Sequence, residues 1–214
     1  MVMYHGPFCV TRQPFCDAPG NPGTVYPIII REDTAVPLRH VIIEGPDGAG
    51  KTMLRDSLLK DLPYFTTHER AAQSVAGPNL STLEEWVVLD TNNLSVQRPS
   101  IYDRHPLVSE PVYGPIVRNN LSGHFAQPWW VKSMTHRVAS HALLVLCMPP
   151  LEEVIRNVFK TPGDQMLGVT DHITRIYAEY SRVYHTWPGV LLRRDYTQTL
   201  YANTRDIIRR VTHA

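Results

Sequence analysis

The stretch Val41-Ile42-Ile43-Glu44-Gly45-Pro46-Asp47-Gly48-Ala49-Gly50-Lys51-Thr52 decides how this 214-residue chain is read. An apolar β-branched run leads into the spacing G-x-x-x-x-G-K-[ST], and Leu54, Leu58 and Leu62 then recur at helical spacing. That order is strand, phosphate loop, helix. Gly45, Gly48 and Gly50 let backbone N–H groups curl inward around a polyphosphate, with Pro46, Asp47 and Ala49 completing the loop. The first turn of the following helix adds the positive end of its dipole. In such a loop Lys51 neutralises the β- and γ-phosphates of ATP and the Thr52 hydroxyl ligates Mg²⁺. The glycine order does not fit the G-x-G-x-x-G of a dinucleotide loop.

Outward from the loop, short β-branched runs alternate with helical periodicity, the pattern of an α/β protein with a parallel sheet and crossover helices. Five strands are expected: Val41 to Glu44, Tyr64 to Thr67, Ser100 to Tyr102, Leu143 to Met148 and Val190 to Arg193. Helices are expected around Leu54, Leu58 and Leu62, around Leu151, Val154, Ile155 and Val158, from Ile173 to Tyr184, and from Leu200 to Val211. Ser81 with Glu84 reads as a capping box ahead of Trp86 to Leu89. Residues 1–36, rich in Pro, Gly and Asn with one β-like stretch from Val25 to Arg31, read as an arm added to a domain of residues 37–214.

Composition narrows the function. Apolar residues make up 43% and charged residues 19%, enough to bury a core and unlike a disordered chain. Lysine plus arginine at 21 against aspartate plus glutamate at 20 gives +1, which removes a whole-chain electrostatic case for gripping nucleic acid or an anionic membrane. The longest apolar run, Ala142 to Pro150, is nine residues, far below the roughly 20 that a membrane-spanning helix needs. No basic start with an apolar stretch marks a signal peptide, and three cysteines argue for a reducing compartment, so a cytoplasmic protein is expected. His5, Cys9 and Cys16 lack a Cys-x-x-Cys pair and a fourth ligand, so no zinc site is expected.

Two motifs carry a family resemblance. Ile43 to Thr52 resembles the phosphate loop of the thymidylate kinase-like group of nucleotide and nucleoside kinases, and Asp103-Arg104-His105 resembles that group's Asp-Arg-Tyr/His motif. The resemblance implies a five-stranded P-loop kinase sheet over residues 40 to about 200 and an ATP- and Mg²⁺-dependent transfer to a nucleotide or nucleoside. It implies that Asp47 touches the acceptor's sugar hydroxyl and that Asp103 holds Mg²⁺ directly or through water. Arg104 would bind phosphate oxygens. Thr67-His68-Glu69-Arg70 resembles the segment that supplies an acid–base glutamate, which makes Glu69 that candidate. The loop lacks arginine, and relatives of that kind clamp the transition state with lid arginines. Here only Arg156 and Lys160 are basic in the corresponding stretch, with Arg175 further along, and Arg156 is the candidate. Gly163-Asp164-Gln165-Met166-Leu167-Gly168-Val169 is similar to a segment of phage-encoded members, for which the compartment would be the host cytoplasm. Relatives are commonly dimers, which implies a homodimer.

The acceptor stays open at this level. The simplest is a deoxynucleoside monophosphate such as dTMP going to the diphosphate. A second is a hydroxyl, either the 5′-hydroxyl of a nucleoside or the hydroxymethyl group of a modified pyrimidine in phage DNA. A hydroxyl must lose its proton, which would give Glu69 more to do. A DNA acceptor also needs base flipping and a basic groove, to which Arg193, Arg194, Arg209 and Arg210 could contribute. A third reading is a nucleotide-binding regulator without turnover. Trp129, Trp130, Phe125, Tyr113 and His105 could stack on an acceptor base, but aromatics at these spacings belong more often to a core. Asp195-Tyr196-Thr197 follows the last strand, where this fold places the loop around the adenine ring.

Overall fold

The computed structural model describes residues 38–68, 80–93, 98–119, 121, 123–160, 166–198 and 200–212. Strands β1 (His40–Glu44), β2 (Thr66–His68), β3 (Ser100–Asp103), β4 (Ala142–Cys147) and β5 (Leu191–Arg194) form one parallel sheet in the order β2-β3-β1-β4-β5. The expected five-stranded α/β sheet is therefore present. Every residue of β1 and β4 is buried, as befits strands covered by helices on both faces. Ile42, Ile43, Leu143 and Leu144 form the centre of the core, joined by Leu54 and Leu58 from helix α1 (Lys51–Asp61).

Helices α2 (Leu80–Asn93), α5 (Leu151–Lys160), α6 (Val169–Thr186) and α7 (Leu200–Thr212) fall where periodicity places them. Helices α3 (Pro106–Val117) and α4 (Pro128–Ala139) were hidden from the pattern by their prolines. Pro106 and Pro128 open these helices at positions where a missing N–H costs nothing. His105 caps α3, its Nδ1 accepting the Leu107 N–H at 3.2 Å. The Ser81 side chain, read as half of a capping box, lies outside the described residues. Glu84 accepts the backbone N–H of His124 at 2.6 Å and holds the short turn ahead of α4.

Of the five aromatic residues considered for an acceptor pocket, His105, Tyr113, Phe125 and Trp130 are buried, while Trp129 is exposed. The Pro-rich arm and its strand lie outside the described residues, as do the cysteines at 9 and 16. Among the described residues no helix is long and apolar enough to cross a membrane.

Candidate active site

The sheet brings the two motifs together. Ile43 on β1 is in register with Asp103 on β3, and the backbone N–H of Arg104 continues the ladder to the Ile43 carbonyl at 3.0 Å. The phosphate loop and Asp103-Arg104-His105 thus emerge side by side at the carboxyl end of the central strand, where open α/β sheets form their crevice. On the other flank, Gly45 at φ +139° runs so close to β4 that a Cβ would sit 2.3 Å from the Cys147 carbonyl oxygen. Lys51, in the first turn of α1, is buried, and its ammonium donates to the Pro46 carbonyl at 2.6 Å across the loop. Burial, with Arg104 adding repulsion, pushes the Lys51 pKa down to about 8, against the pull of Asp47 and Asp103.

Arg104 is the centre of a buried network. Only 4% exposed, its guanidinium donates to the Gly45 carbonyl at 3.1 Å, Tyr180 Oη at 2.9 Å, Asp47 Oδ1 at 2.7 Å and Tyr113 Oη at 3.0 Å. Tyr113 in turn donates to Asp47 Oδ2 at 2.8 Å, so both oxygens of the loop aspartate are held. Glu44 closes the network from beneath, accepting the His105 backbone N–H at 2.7 Å and the Tyr180 hydroxyl at 2.8 Å, 3.6 Å from Arg104. Burial raises the Glu44 pKa, only partly offset by Arg104 and its hydrogen bonds. Burial also opposes the charge on Arg104, but Asp47, the two tyrosines and Glu44 outweigh it and keep the guanidinium protonated. Arg104 adopts φ +74°, a left-handed conformation that costs a side-chain-bearing residue about 1–2 kcal/mol. Arg104 thus bonds both to the loop backbone and to Asp47.

His105 belongs to a second buried set behind the site. Its Nε2 lies 3.2 Å from Asp90 Oδ2, and Tyr102 donates to Asp90 Oδ1 at 2.5 Å. With Nδ1 accepting from Leu107, Nε2 is the protonated nitrogen and the donor to Asp90.

Asp103 has a partner that the motifs do not announce. Arg55, one helical turn beyond Lys51, donates from Nη1 to Asp103 Oδ2 at 3.1 Å and from Nε to Asp56 Oδ1 at 2.9 Å. Among the described residues no group of three or more His, Cys, Asp or Glu gathers as a metal cage. Thr52, exposed at the start of α1, and the partly exposed Asp103 are hard oxygen donors, the kind Mg²⁺ takes when phosphates and water complete its shell.

The outer wall of the loop is built by α5 and by the segment after β5. The side chain that α5 aims at the loop is Asn157, which donates to the Gly48 carbonyl at 3.0 Å and to Tyr196 Oη at 2.7 Å. Arg156, the residue expected to act as a clamp, points to solvent at 61% side-chain exposure and pairs with Glu153 on its own helix. The phase of the helix explains the difference. Val154 and Val158 are buried, and 157 lies about 60° from 154 on the helical wheel whereas 156 lies on the far side. Glu69 and residues 161–165 of the lid stretch lie outside the described residues.

Glu44, Arg55, Tyr180 and Asn157 were not identified as site residues from sequence. Tyr180 was legible only as a helix face, and nothing in its spacing foretells the acid its hydroxyl meets.

No protein-family model matches the chain, and no curated protein matches it in sequence. Solved structures do match its fold. The YorR protein of Bacillus subtilis, solved with phosphorylated GDP, superposes with a TM-score of 0.59 at 20% identity over 79% of this chain and 93% of that one. Deoxyadenosine kinase of M. mycoides, solved with dCMP and dCDP, gives 0.53 at 13% identity over 81% and 98%. Shikimate kinase of Acinetobacter baumannii, solved with shikimate, gives 0.50 at 12% identity over 82% and 93%. The fold is the one these proteins share.

Proposed function

We propose that the chain is an ATP- and Mg²⁺-dependent phosphotransferase acting on a nucleotide-type acceptor, most simply a deoxynucleoside monophosphate such as dTMP going to its diphosphate. The observation that carries this reading is the phosphate loop, with Lys51 buried in its first helical turn, set beside Asp103 by the β1–β3 register. Phosphoryl transfer asks a protein for positioning and charge neutralisation more than for covalent chemistry. The loop N–H groups and Lys51 would hold the β- and γ-phosphates, while Thr52 and Asp103 would hold Mg²⁺. When bound, that ion would shield the charge between the β- and γ-phosphates. An acceptor oxygen then bonds to the γ-phosphorus as the bond to the bridging oxygen breaks, and ADP leaves.

A specific observation favours a second reading, in which the acceptor is a hydroxyl. Arg104, expected to bind phosphate, is fully engaged by Asp47, Tyr113, Tyr180 and the Gly45 carbonyl, with Glu44 close by. Among the described residues, the wall it belongs to has no cation to spare for an acceptor phosphate, which a hydroxyl would not require. Two of the fold neighbours are kinases named for acceptors without a phosphate, deoxyadenosine and shikimate. Glu69 would then be the general base. The DNA-borne form of this acceptor has less behind it. Arg194 is 2% exposed and so is withdrawn from such a contact, and Arg209 pairs with Asp206 on its own helix.

Incubation with γ-labelled ATP and Mg²⁺ against separate pools of deoxynucleoside monophosphates, nucleosides, and plain or hydroxymethylated DNA decides between them. Label on monophosphates alone establishes the first reading, and label on nucleosides alone the second. Label in none of the pools points to the regulator without turnover.

A further inference from the structure

We infer that Asn157 and Tyr196 form a clamp that fixes the outer side of the phosphate loop and so positions it for the nucleoside triphosphate donor; the inference rests on the donor-site reading above. Four contacts converge. The Asn157 amide uses one donor on the Gly48 carbonyl at 3.0 Å and the other on the Tyr196 hydroxyl at 2.7 Å. That hydroxyl donates in turn to Glu153 Oε1 at 3.3 Å, completing a chain of hydrogen bonds that starts at the Asn157 amide. The Tyr196 ring lies against Gly50, where a Cβ would meet Cδ1 at 3.0 Å.

The places where the clamp touches are the turning points of the loop. Gly48 and Gly50 both have positive φ, +75° and +76°, and the Gly50 conformation ends the loop and starts α1. A Cβ on Gly48 would lie 3.0 Å from the Val154 carbonyl and 3.1 Å from the Asn157 Cβ. Helix α5 therefore abuts one turn and Tyr196 the other, and the amide–hydroxyl bond ties the two together. Backbone N–H groups bind phosphate only when they converge on one point, so fixing two successive turns fixes that convergence. Neither residue need touch the donor. Both are positioning residues.

Calorimetric titration of the full chain with ATP, alongside thermal unfolding, tests this. Asn157→Ala is expected to weaken ATP binding about tenfold, and Tyr196→Phe, which keeps the ring on Gly50, about threefold. The double variant is expected to bind no more weakly than Asn157→Ala alone, because amide and hydroxyl act as one chain. In activity assays KM for ATP should rise with kcat unchanged, a split that general destabilisation does not produce. Wild-type affinity in both single variants overturns the clamp, as does a double variant whose loss is the product of the single losses. If Asn157→Ala does not fold, Tyr196→Phe carries the test, and unchanged affinity there overturns the clamp. Failure of the wild-type chain to bind ATP overturns the donor-site reading and the clamp together, whereas binding that the variants leave intact overturns the clamp alone.

Discussion

The two sides of the phosphate loop are held by opposite kinds of chemistry. On the inner side, the buried Arg104 pairs with the partly buried Asp47 over the buried carboxyl group of Glu44, with Tyr113 and Tyr180 filling the remaining hydrogen bonds. On the outer side, Asn157 and Tyr196 form a neutral amide–hydroxyl chain at a half-buried surface. A buried ionic set is rigid because losing any member strands a charge. A neutral chain near water can lose a member and recover a hydrogen bond from solvent. The inner side of the loop is thus held more stiffly than the outer side.

That contrast can be broken at its centre first. Lys51 belongs to neither wall, and Lys51→Ala should lower phosphoryl transfer by on the order of 10³-fold while far-UV circular dichroism stays unchanged; retained transfer would remove the donor site from under both walls. Next in size is Arg104→Met, which leaves the buried Glu44 and the partly buried Asp47 without their cation. Urea unfolding should show a loss of about 3–5 kcal/mol, several times the loss for Tyr196→Phe on the outer wall. Equal losses would mean that the inner network is not the stiffer side. The smallest effect is a pH dependence. Lys51 must carry its proton to hold phosphate, and burial with the nearby Arg104 sets its pKa at about 8. ATP affinity should therefore be full below pH 7 and decline as the pH rises through 8, approaching about tenfold per further unit. A profile flat to pH 10 would show that Asp47 and Asp103 outweigh burial at that ammonium.

What the sequence made legible follows from how local each signal is. The loop, the strand before it and the helix after it are contiguous, so their chemistry and their geometry are the same observation. Asp103-Arg104-His105 was legible as a strand end beside the loop, but the burial of Arg104 was not. Its surroundings come from Asp47, Tyr113 and Tyr180, which lie up to 76 residues away. Asn157 could have been found. Taking Val154 and Val158 as the inward stripe of α5 turns Asn157 toward the sheet and Arg156 away from it, whereas charge alone favoured Arg156. Helices α3 and α4 were lost for a different reason. Proline signals a break in a helix interior and a start at its first turn, and Pro106 and Pro128 are starts while Pro111 and Pro115 sit within a helix that tolerates them.

The close passage of Gly45 beneath the Cys147 carbonyl bears on the order in which the molecule can assemble. Residues 45 and 147 are adjacent only after the chain has laid down β3, α3 and α4 between them. A nascent chain that has synthesised the whole phosphate-loop motif still lacks the strand that walls it, because β4 comes about a hundred residues later. Such long closures are the slow, entropically costly part of folding a parallel sheet. The loop is therefore walled late, at the moment the central strand acquires its second neighbour.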